Sequence, residues 1–236
     1  MDVYYVRHGE STGNTGETHE PDPALTDAGL EQAAHAAAAL RGLGVGRLYC
    51  SPLRRNLQTA RAIGDALGLS PHVTPELCEI GGIPPHDYGA GRLEERSGMS
   101  PDEIRDVCPG ATLSEDITGE GWWFLRRDIL DANDPLVWRR AVDSGKSMGR
   151  FLMEDRSGAD DVSVLVGHGG SGWLFCETFL GIEPAPGQQR FGLDNCSISL
   201  FRMRDHGIRL AFLNRVEHLP LELQESERAR LRASQG

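Results

Sequence analysis

Residues 3–14 read VYYVRHGESTGN, a short apolar run that leads directly into Arg7 and His8 and then into glycine and small polar residues. The β-branched and aromatic residues at the start of this stretch predict a buried strand. In an open α/β sheet, ligands bind outside the carboxyl ends of the strands. An arginine and a histidine at such an end therefore indicate a binding or catalytic site.

Strand and helix patterns alternate along most of the chain. Thr26 is a favourable N-cap for the first long helix, and Gly68 is a favourable end for the second. The patterns predict strands at 3–6, 47–51 and 162–167, helices at 25–44, 53–67 and 170–181, and a hairpin formed by 197–203 and 208–214. Parallel neighbouring strands need crossover connections, which these helices supply. We therefore predict an α/β fold, a three-layer α/β/α sandwich whose sheet is mostly parallel with an antiparallel edge.

The interval 80–134 departs from this alternation, because it is rich in glycine, proline and charge and has only short apolar stretches. Inserted after a strand end, it is expected to form a cap over the site. Residues 80–120 carry nine acidic residues and three arginines, a net charge of -6. The polar tail at 220–236 is expected to fray or to form a short surface helix. We predict a single domain over 1–236.

Composition excludes several classes of protein. The chain has 236 residues and a formal net charge of -11, and without a basic stripe this charge disfavours nucleic-acid binding. No apolar stretch approaches the length needed to span a bilayer, so we expect a cytoplasmic protein with no membrane partner. Its five cysteines are odd in number and include no CxxC pair, which favours reduced thiols over disulfides or a zinc site. A homodimer is compatible with the sequence, which leaves the oligomeric state open.

Four segments, VRHG, YCSPLRR, LCEIGG and VGHGG, each follow a predicted strand. Their polar side chains are therefore expected to meet at one edge of the sheet: Arg7, His8, Arg55, Glu79 and His168. Such a set suits phosphoryl transfer, in which fixed cations and N–H donors stabilise negative charge on the transferred group. Two histidines allow one to act as a neutral nucleophile and the other to bind the phosphoryl oxygens. A carboxylic acid can protonate the leaving oxygen.

Five motifs in this order, RHGESTGN, SPLRRNLQTA, LCEIGG, VGHGG and NCSIS, resemble the histidine phosphatase superfamily, also called the phosphoglycerate mutase-like family. The resemblance implies that His8 becomes a phosphohistidine and that Glu79 is the proton donor. It implies a phosphate site formed by Arg7, His8, Asn14, Arg55 and His168. Gly169 beside the second histidine is expected to let backbone N–H groups approach the anion. Because the arginines and His168 supply the charge, we expect no metal and no cofactor. Arg54 competes with Arg55 for the second arginine role, and the pattern SPxxR favours Arg55.

Two stretches differ from the family pattern. After Glu79, the usual aromatic and acidic residues are replaced by IGGIPPHDYGAG. After His168, Gly169 and Gly170, the usual isoleucine and arginine are replaced by SGW. The first difference affects the setting of the acid. The second is interpreted as helix packing.

Three functions are compatible with these residues. The leading one is a metal-independent phosphomonoesterase that hydrolyses a small phosphorylated metabolite. A phosphoglycerate mutase-type phosphoryl transfer is the alternative, and it requires extra cations near the cap, such as the pairs Arg126 with Arg127 and Arg139 with Arg140. A non-catalytic protein that binds a phosphorylated ligand is the third, and the intact arginines and histidines argue against it.

Overall fold

The protein, represented by a computed structural model, is described over residues 1–83, 96–125, 135–154, 161–204 and 206–224. Its strands are β1 (Asp2–Arg7), β2 (Arg47–Cys50), β3 (His72–Val73), β4 (Thr112–Leu113), β5 (Val162–Gly167), β6 (Ile198–Arg204) and β7 (Gly207–Arg215). Its helices are α1 (Thr12–Thr15), α2 (Asp27–Leu40), α3 (Arg54–Leu67), α4 (Pro101–Val107), α5 (Pro135–Glu154) and α6 (Gly169–Phe179). A 3₁₀ turn spans Pro75–Leu77.

The seven strands form one sheet in the order β4-β3-β2-β5-β1-β6-β7. The neighbours from β4 to β1 are parallel, and β6 and β7 add an antiparallel hairpin beside β1. This arrangement confirms the predicted mostly parallel sheet with an antiparallel edge. It also places the carboxyl ends of β1 and β5 next to each other.

Alternate residues of the strands enter two separate cores. Val6 and Val166 pack on one side with the apolar faces of α2 and α3, while Tyr5 and Leu165 pack on the other with residues of α5 and α6. A strand directs successive side chains to opposite faces, so a sheet buried on both sides needs apolar residues at every position. The continuous apolar runs in the sequence therefore predicted the three layers correctly.

The helix ends follow the predicted capping residues. The Thr26 hydroxyl accepts a hydrogen bond from the Gly29 backbone N–H at the start of α2. Gly68 ends α3 with φ of 70°, a left-handed conformation that glycine adopts without a steric penalty. These caps fix where α2 and α3 begin and end relative to the sheet.

Part of the interval predicted as a cap belongs to the sheet instead. Residues 112–113 form β4 and pair in parallel with β3, and α4 precedes them. Two-residue strands are too short to leave an alternating pattern in the sequence. Trp122 of this interval is 1% exposed and packs in the main core. The pair Arg126 and Arg127 lies outside the described residues.

The chain after β7 returns to the body of the protein. A short helical turn at 221–224 places Leu223 in the core, and the Gln32 side chain donates a hydrogen bond to the Leu223 carbonyl. The beginning of the predicted tail is therefore packed, and residues 225–236 lie outside the described part. None of the described helices combines the length and the apolar character needed to cross a membrane.

Candidate active site

The topology brings both histidines to the same edge of the sheet. β1 and β5 are parallel neighbours with Arg7 opposite Gly167, so His8 and His168 leave adjacent strands at the same level. The backbone N–H of His8 donates to the Gly167 carbonyl at 3.0 Å. The two imidazole rings have centroids 5.2 Å apart. Arg55 reaches them from the first turn of α3, which follows β2 on the other side of β5.

Hydrogen bonding fixes the tautomer of His8. Its Nδ1 lies 2.7 Å from the Gly9 carbonyl oxygen, which can only accept, so Nδ1 must carry the proton. The Nε2 atom is then unprotonated and keeps its lone pair. The side chain is 3% exposed, and burial, together with Arg55 and Arg7, holds the pKa of His8 well below its usual value. A neutral imidazole with an unprotonated Nε2 is the form of histidine that can act as a nucleophile.

Arg55 bridges the two imidazoles. Its Nε donates to His8 Nε2 at 3.2 Å, and its Nη2 lies 3.2 Å from His168 Nδ1. Nη1 lies 3.7 Å from the carboxylate of Asp22. The fork of the guanidinium can make these contacts together, which a lysine ammonium could not do with the same geometry. Arg54, the alternative considered from the sequence, is exposed at the surface.

His168 has the opposite tautomer. A guanidinium only donates hydrogen bonds, so the contact with Arg55 requires an unprotonated Nδ1, and Nε2–H donates to Ser51 Oγ at 2.8 Å. The residue is 0% exposed. Burial and the positive charge of Arg55 lower its pKa well below the usual value. A phosphoryl dianion placed between the rings would oppose this shift, because a nearby opposite charge favours the protonated form.

The backbone of His168 is held by the Tyr5 hydroxyl, which accepts from the His168 N–H at 3.0 Å and donates to its carbonyl at 3.1 Å. Gly167 makes this possible, because a Cβ at that position would collide with the Tyr5 hydroxyl. The first turn of α6 follows directly. Tyr5 and Gly167 therefore set the position of the second histidine.

Arg7 lies beside the start of α6. Its Nη1 donates to the Leu193 carbonyl at 2.6 Å, which orients the guanidinium. A Cβ built on Gly169 would lie 3.5 Å from Arg7 Nε, so the predicted phosphate-binding glycine is next to this arginine. The N-terminus of α6 and Arg7 together supply positive potential at the place where the sequence predicts a phosphate site.

Glu79 is also at the N-terminus of α6. Its Oε1 accepts from the N–H groups of Ser171 at 2.8 Å and Ile80 at 2.9 Å, and Oε2 accepts from the Gly170 N–H at 3.2 Å. The sequence pattern suggested that Glu79 directly follows a strand end, and this was wrong. Glu79 follows the 3₁₀ turn, which separates it from β3. After this turn, the Glu79 carboxyl group lies at the start of α6.

Comparison with known proteins agrees with this geometry. The family model of the histidine phosphatase superfamily (branch 1) matches residues 3–89. A probable phosphoglycerate mutase, GpmB, from Yersinia pestis (strain Pestoides F) is 31% identical over 209 residues, covering 84% of this chain and 83% of the relative. The corresponding protein of Enterobacter sp. (strain 638) is 30% identical with the same coverage. The chain belongs to the histidine phosphatase superfamily.

Several solved structures share the fold of this chain. A mutant of phosphoserine phosphatase from Entamoeba histolytica, in complex with phosphoserine, superposes with a TM-score of 0.63 at 22% identity, over 93% of this chain and 99% of that chain. A mycobacterial glucosyl-3-phosphoglycerate phosphatase in complex with VO3 has a TM-score of 0.60 at 21% identity, over 91% and 99%. At these identities the likeness establishes the fold alone.

Asn14, predicted as a phosphate donor, is the third residue of α1 and is exposed. Its Oδ1 accepts from the Ser11 N–H at 3.1 Å, from Ser11 Oγ at 3.0 Å and from Asn195 Nδ2 at 3.4 Å. These three contacts all use the oxygen of the amide, so its NH₂ group is directed away from them. The two N–H donors of the amide are not used in these contacts, and the role of Asn14 as a phosphate donor stays a prediction.

The sequence did not identify Asn195 as part of this histidine phosphatase superfamily site. Its Nδ2 donates to the His8 carbonyl at 2.9 Å, and the Cys196 N–H contacts the carbonyls of Arg7 at 3.1 Å and His8 at 3.2 Å. Cys196 has φ of 52°, a conformation that costs energy for a residue with a Cβ. The NCSIS motif was the available signal, and the structure shows that its turn fixes the backbone of the first motif.

Two further contacts were not evident from the pattern. Ser51 orients His168, and its position in YCSPLRR, immediately after β2, was the only sequence signal. Asp22 accepts from the Arg54 backbone N–H at 2.9 Å and lies close to the Arg55 guanidinium. Burial raises the pKa of Asp22 to about 6 despite this arginine. A residue in the loop before α2 gives no sequence pattern that would place it there.

Proposed function

We propose that the protein is a metal-independent phosphomonoesterase that hydrolyses a small phosphorylated metabolite through a phosphohistidine at His8. The observation that carries the proposal is the orientation of His8, whose Nδ1–H is bound by the Gly9 carbonyl while Nε2 meets the Arg55 guanidinium. This arrangement keeps a nucleophilic lone pair beside a cation that can bind the phosphoryl oxygens. The family membership supports the same nucleophile.

The first step transfers the phosphoryl group to His8. The Nε2 lone pair attacks phosphorus, the bond from phosphorus to the ester oxygen breaks, and the released electron pair stays on that oxygen. The carboxylic acid of Glu79 gives its proton to the leaving alkoxide. The bond from Nδ1–H to the Gly9 carbonyl stabilises the positive charge that develops on the ring.

The second step returns the enzyme to its starting form. A water oxygen attacks the phosphohistidine while the Glu79 carboxylate accepts a proton from that water, and the electron pair of the phosphorus–nitrogen bond returns to Nε2. Arg7 and Arg55 supply the positive charge and donors that the transferred group needs, and the His168 imidazole adds to them when the bound dianion favours its protonated form. These fixed groups take the place that a metal ion holds in other phosphatases.

The choice between hydrolysis and mutase chemistry depends on cations for a second anionic group. Arg140 makes a bidentate ion pair with Glu76, at 3.1 and 3.0 Å, so its fork is already occupied by a carboxylate. Arg139 is exposed. The interval 80–120 carries a net charge of -6, and those of its carboxylates that lie near the substrate would repel a second anionic group. These features favour hydrolysis of an ester whose leaving group is neutral or cationic, such as a sugar, a polyol or an amino alcohol.

Mutase-type transfer is the second candidate, because the relatives at 30% and 31% identity are named as probable phosphoglycerate mutases. The test offers 3-phosphoglycerate with and without the 2,3-bisphosphate and follows both free phosphate and the 2-isomer. We expect phosphate as the main product, no need for the bisphosphate, and turnover that persists with a chelator. Rapid, bisphosphate-dependent isomer formation with little phosphate would establish the mutase instead. Binding of phosphorylated ligands without either product would make the protein a binding protein.

We expect Glu79→Gln to slow alkyl phosphates far more than aryl phosphates. An alkoxide is a poor leaving group without a proton, whereas a nitrophenolate departs with little assistance, and general acid catalysis contributes about 10²- to 10⁴-fold. The measurement is kcat/KM on a series of esters with leaving groups of different basicity. Glu115→Gln, at an exposed carboxylate, is the matched control. Equal losses on both classes of ester would make Glu79 a residue that only organises the site.

A further inference from the structure

Glu79 lies between two short segments of backbone. On its N-terminal side is the 3₁₀ turn Pro75–Leu77, which carries Glu76 three residues before the acid. On its C-terminal side the Gly82 N–H donates to the Glu79 carbonyl at 2.9 Å. The position of the carboxyl group depends on both segments, because a movement of either one carries the Cα of Glu79 with it.

The N-terminal segment is attached to α5. Arg140 Nη1 donates to Glu76 Oε2 at 3.1 Å, and Nη2 donates to Glu76 Oε1 at 3.0 Å. The two side chains are 25% and 24% exposed, so this is a partly desolvated, two-pronged ion pair rather than a mobile surface contact. Nη1 also contacts the Ser144 hydroxyl one turn along the same helix. These bonds fix the direction of the arginine side chain.

The C-terminal segment is linked to the same guanidinium through Phe124. Arg140 Nε donates to the Phe124 carbonyl at 3.2 Å, and the guanidinium lies 5.8 Å from the centre of the Phe124 ring. Phe124 packs against Gly82, where a built Cβ would lie 2.7 Å from the Phe124 Cβ. Gly82 has φ of 67°, so its turn is one that a residue with a side chain would strain. Through Phe124, Arg140 therefore also supports the turn that follows the acid.

We infer that Arg140 is a positioning residue for Glu79, acting through Glu76 on one side and through Phe124 and Gly82 on the other. The inference rests on the proposed role of Glu79 as general acid. Arg140 is 61 positions from Glu79 in the sequence, and the hydrogen bonds described for its guanidinium are with Glu76, Phe124 and Ser144. A loss of the ion pair should leave phosphoryl binding by the arginines and histidines intact and should disturb proton delivery to the leaving group.

The test compares Arg140→Met with Arg139→Met, an exposed neighbour on the same helix. The readout is the rate of His8 phosphorylation by an alkyl phosphate and by 4-nitrophenyl phosphate, a step that a phosphatase and a mutase share. We expect Arg140→Met to slow the alkyl ester by about 10- to 100-fold, since small displacements of a catalytic group have effects of this size. The aryl ester should change by less than about threefold, because it needs little proton assistance. Arg139→Met should change neither rate.

Two further variants separate positioning from loss of fold. Arg140→Lys keeps the charge and loses the fork, so it should recover only part of the alkyl rate. Glu76→Gln removes the charge of the partner, and the double variant with Arg140→Met should show less than additive losses because both changes break one interaction. Equal slowing of both esters by Arg140→Met, or no slowing of either, would overturn the inference.

Failure of the proposed function gives a different result. Wild-type protein that forms phosphohistidine but isomerises its substrate instead of releasing phosphate would overturn hydrolysis and leave the Arg140 comparison valid. Wild-type protein that forms no phosphohistidine with either ester would overturn both. Normal phosphohistidine formation with an unchanged ratio of alkyl to aryl rates in Arg140→Met would overturn the positioning role alone.

Discussion

His8→Ala is expected to lower phosphate release by at least about 10⁴-fold while the protein remains folded, because removal of a covalent nucleophile has effects of this order. No described neighbour offers a replacement with the same geometry. His168 uses Nδ1 to accept from Arg55 and Nε2–H to donate to Ser51, and it is fully buried. The measurement is kcat with an aryl phosphate, together with acid-labile labelling of the protein by ³²P-phosphorylated substrate.

Two controls separate loss of the nucleophile from loss of structure. His206→Ala changes an exposed histidine in the turn of the terminal hairpin and should retain both activity and labelling. His8→Asn can keep an N–H near the Gly9 carbonyl but has no nucleophilic nitrogen, so it should be as inactive as His8→Ala and closer to wild type in thermal stability. Substantial labelling of either His8 variant would place the phosphohistidine at another residue.

The parts of the site that the sequence predicted are those fixed by local pattern. A continuous apolar strand followed by a polar residue places that residue at the carboxyl edge of a parallel sheet, and this argument brought Arg7, His8 and His168 together correctly. The same argument placed an arginine of YCSPLRR at this edge, because α3 begins shortly after β2. The choice of Arg55 over Arg54 came from the family pattern SPxxR.

The parts that the sequence missed depend on contacts between distant segments. β3 and β4 have two residues each, too few for an alternating pattern, so the extension of the sheet by residues of the interval 80–134 could not be seen. Arg140 reads as one of two adjacent helix arginines, and only the packing of α5 against the 3₁₀ turn decides that it binds Glu76. Asn195 likewise acquires its role from the hairpin edge that brings NCSIS beside β1.

Arg55→Met is expected to lower kcat/KM by about 10³-fold, the order found when a cation that stabilises a transferring phosphoryl group is removed. The guanidinium contacts both imidazoles, so its loss removes a charge and also the donor that lies beside the unprotonated nitrogen of each ring. Arg55→Lys should recover only part of this loss, because an ammonium cannot reproduce the fork. Arg54→Met is the matched control, since Arg54 contacts Asp22 through its backbone N–H and its side chain is exposed.

The pH profile gives this variant a signature that a general loss of structure would not produce. Burial and the positive charge of Arg55 both hold the pKa of His8 well below its usual value, so the wild-type nucleophile stays neutral into the acidic range. Removing the arginine removes one of these causes, and the pKa of His8 should rise toward the ordinary value of about 6.5. A protonated imidazole cannot attack phosphorus, so the activity of Arg55→Met should fall at a higher pH on acidification than the activity of wild type. An acidic limb at the same pH in both proteins, or a loss in Arg54→Met equal to that in Arg55→Met, would show that Arg55 does not control the nucleophile.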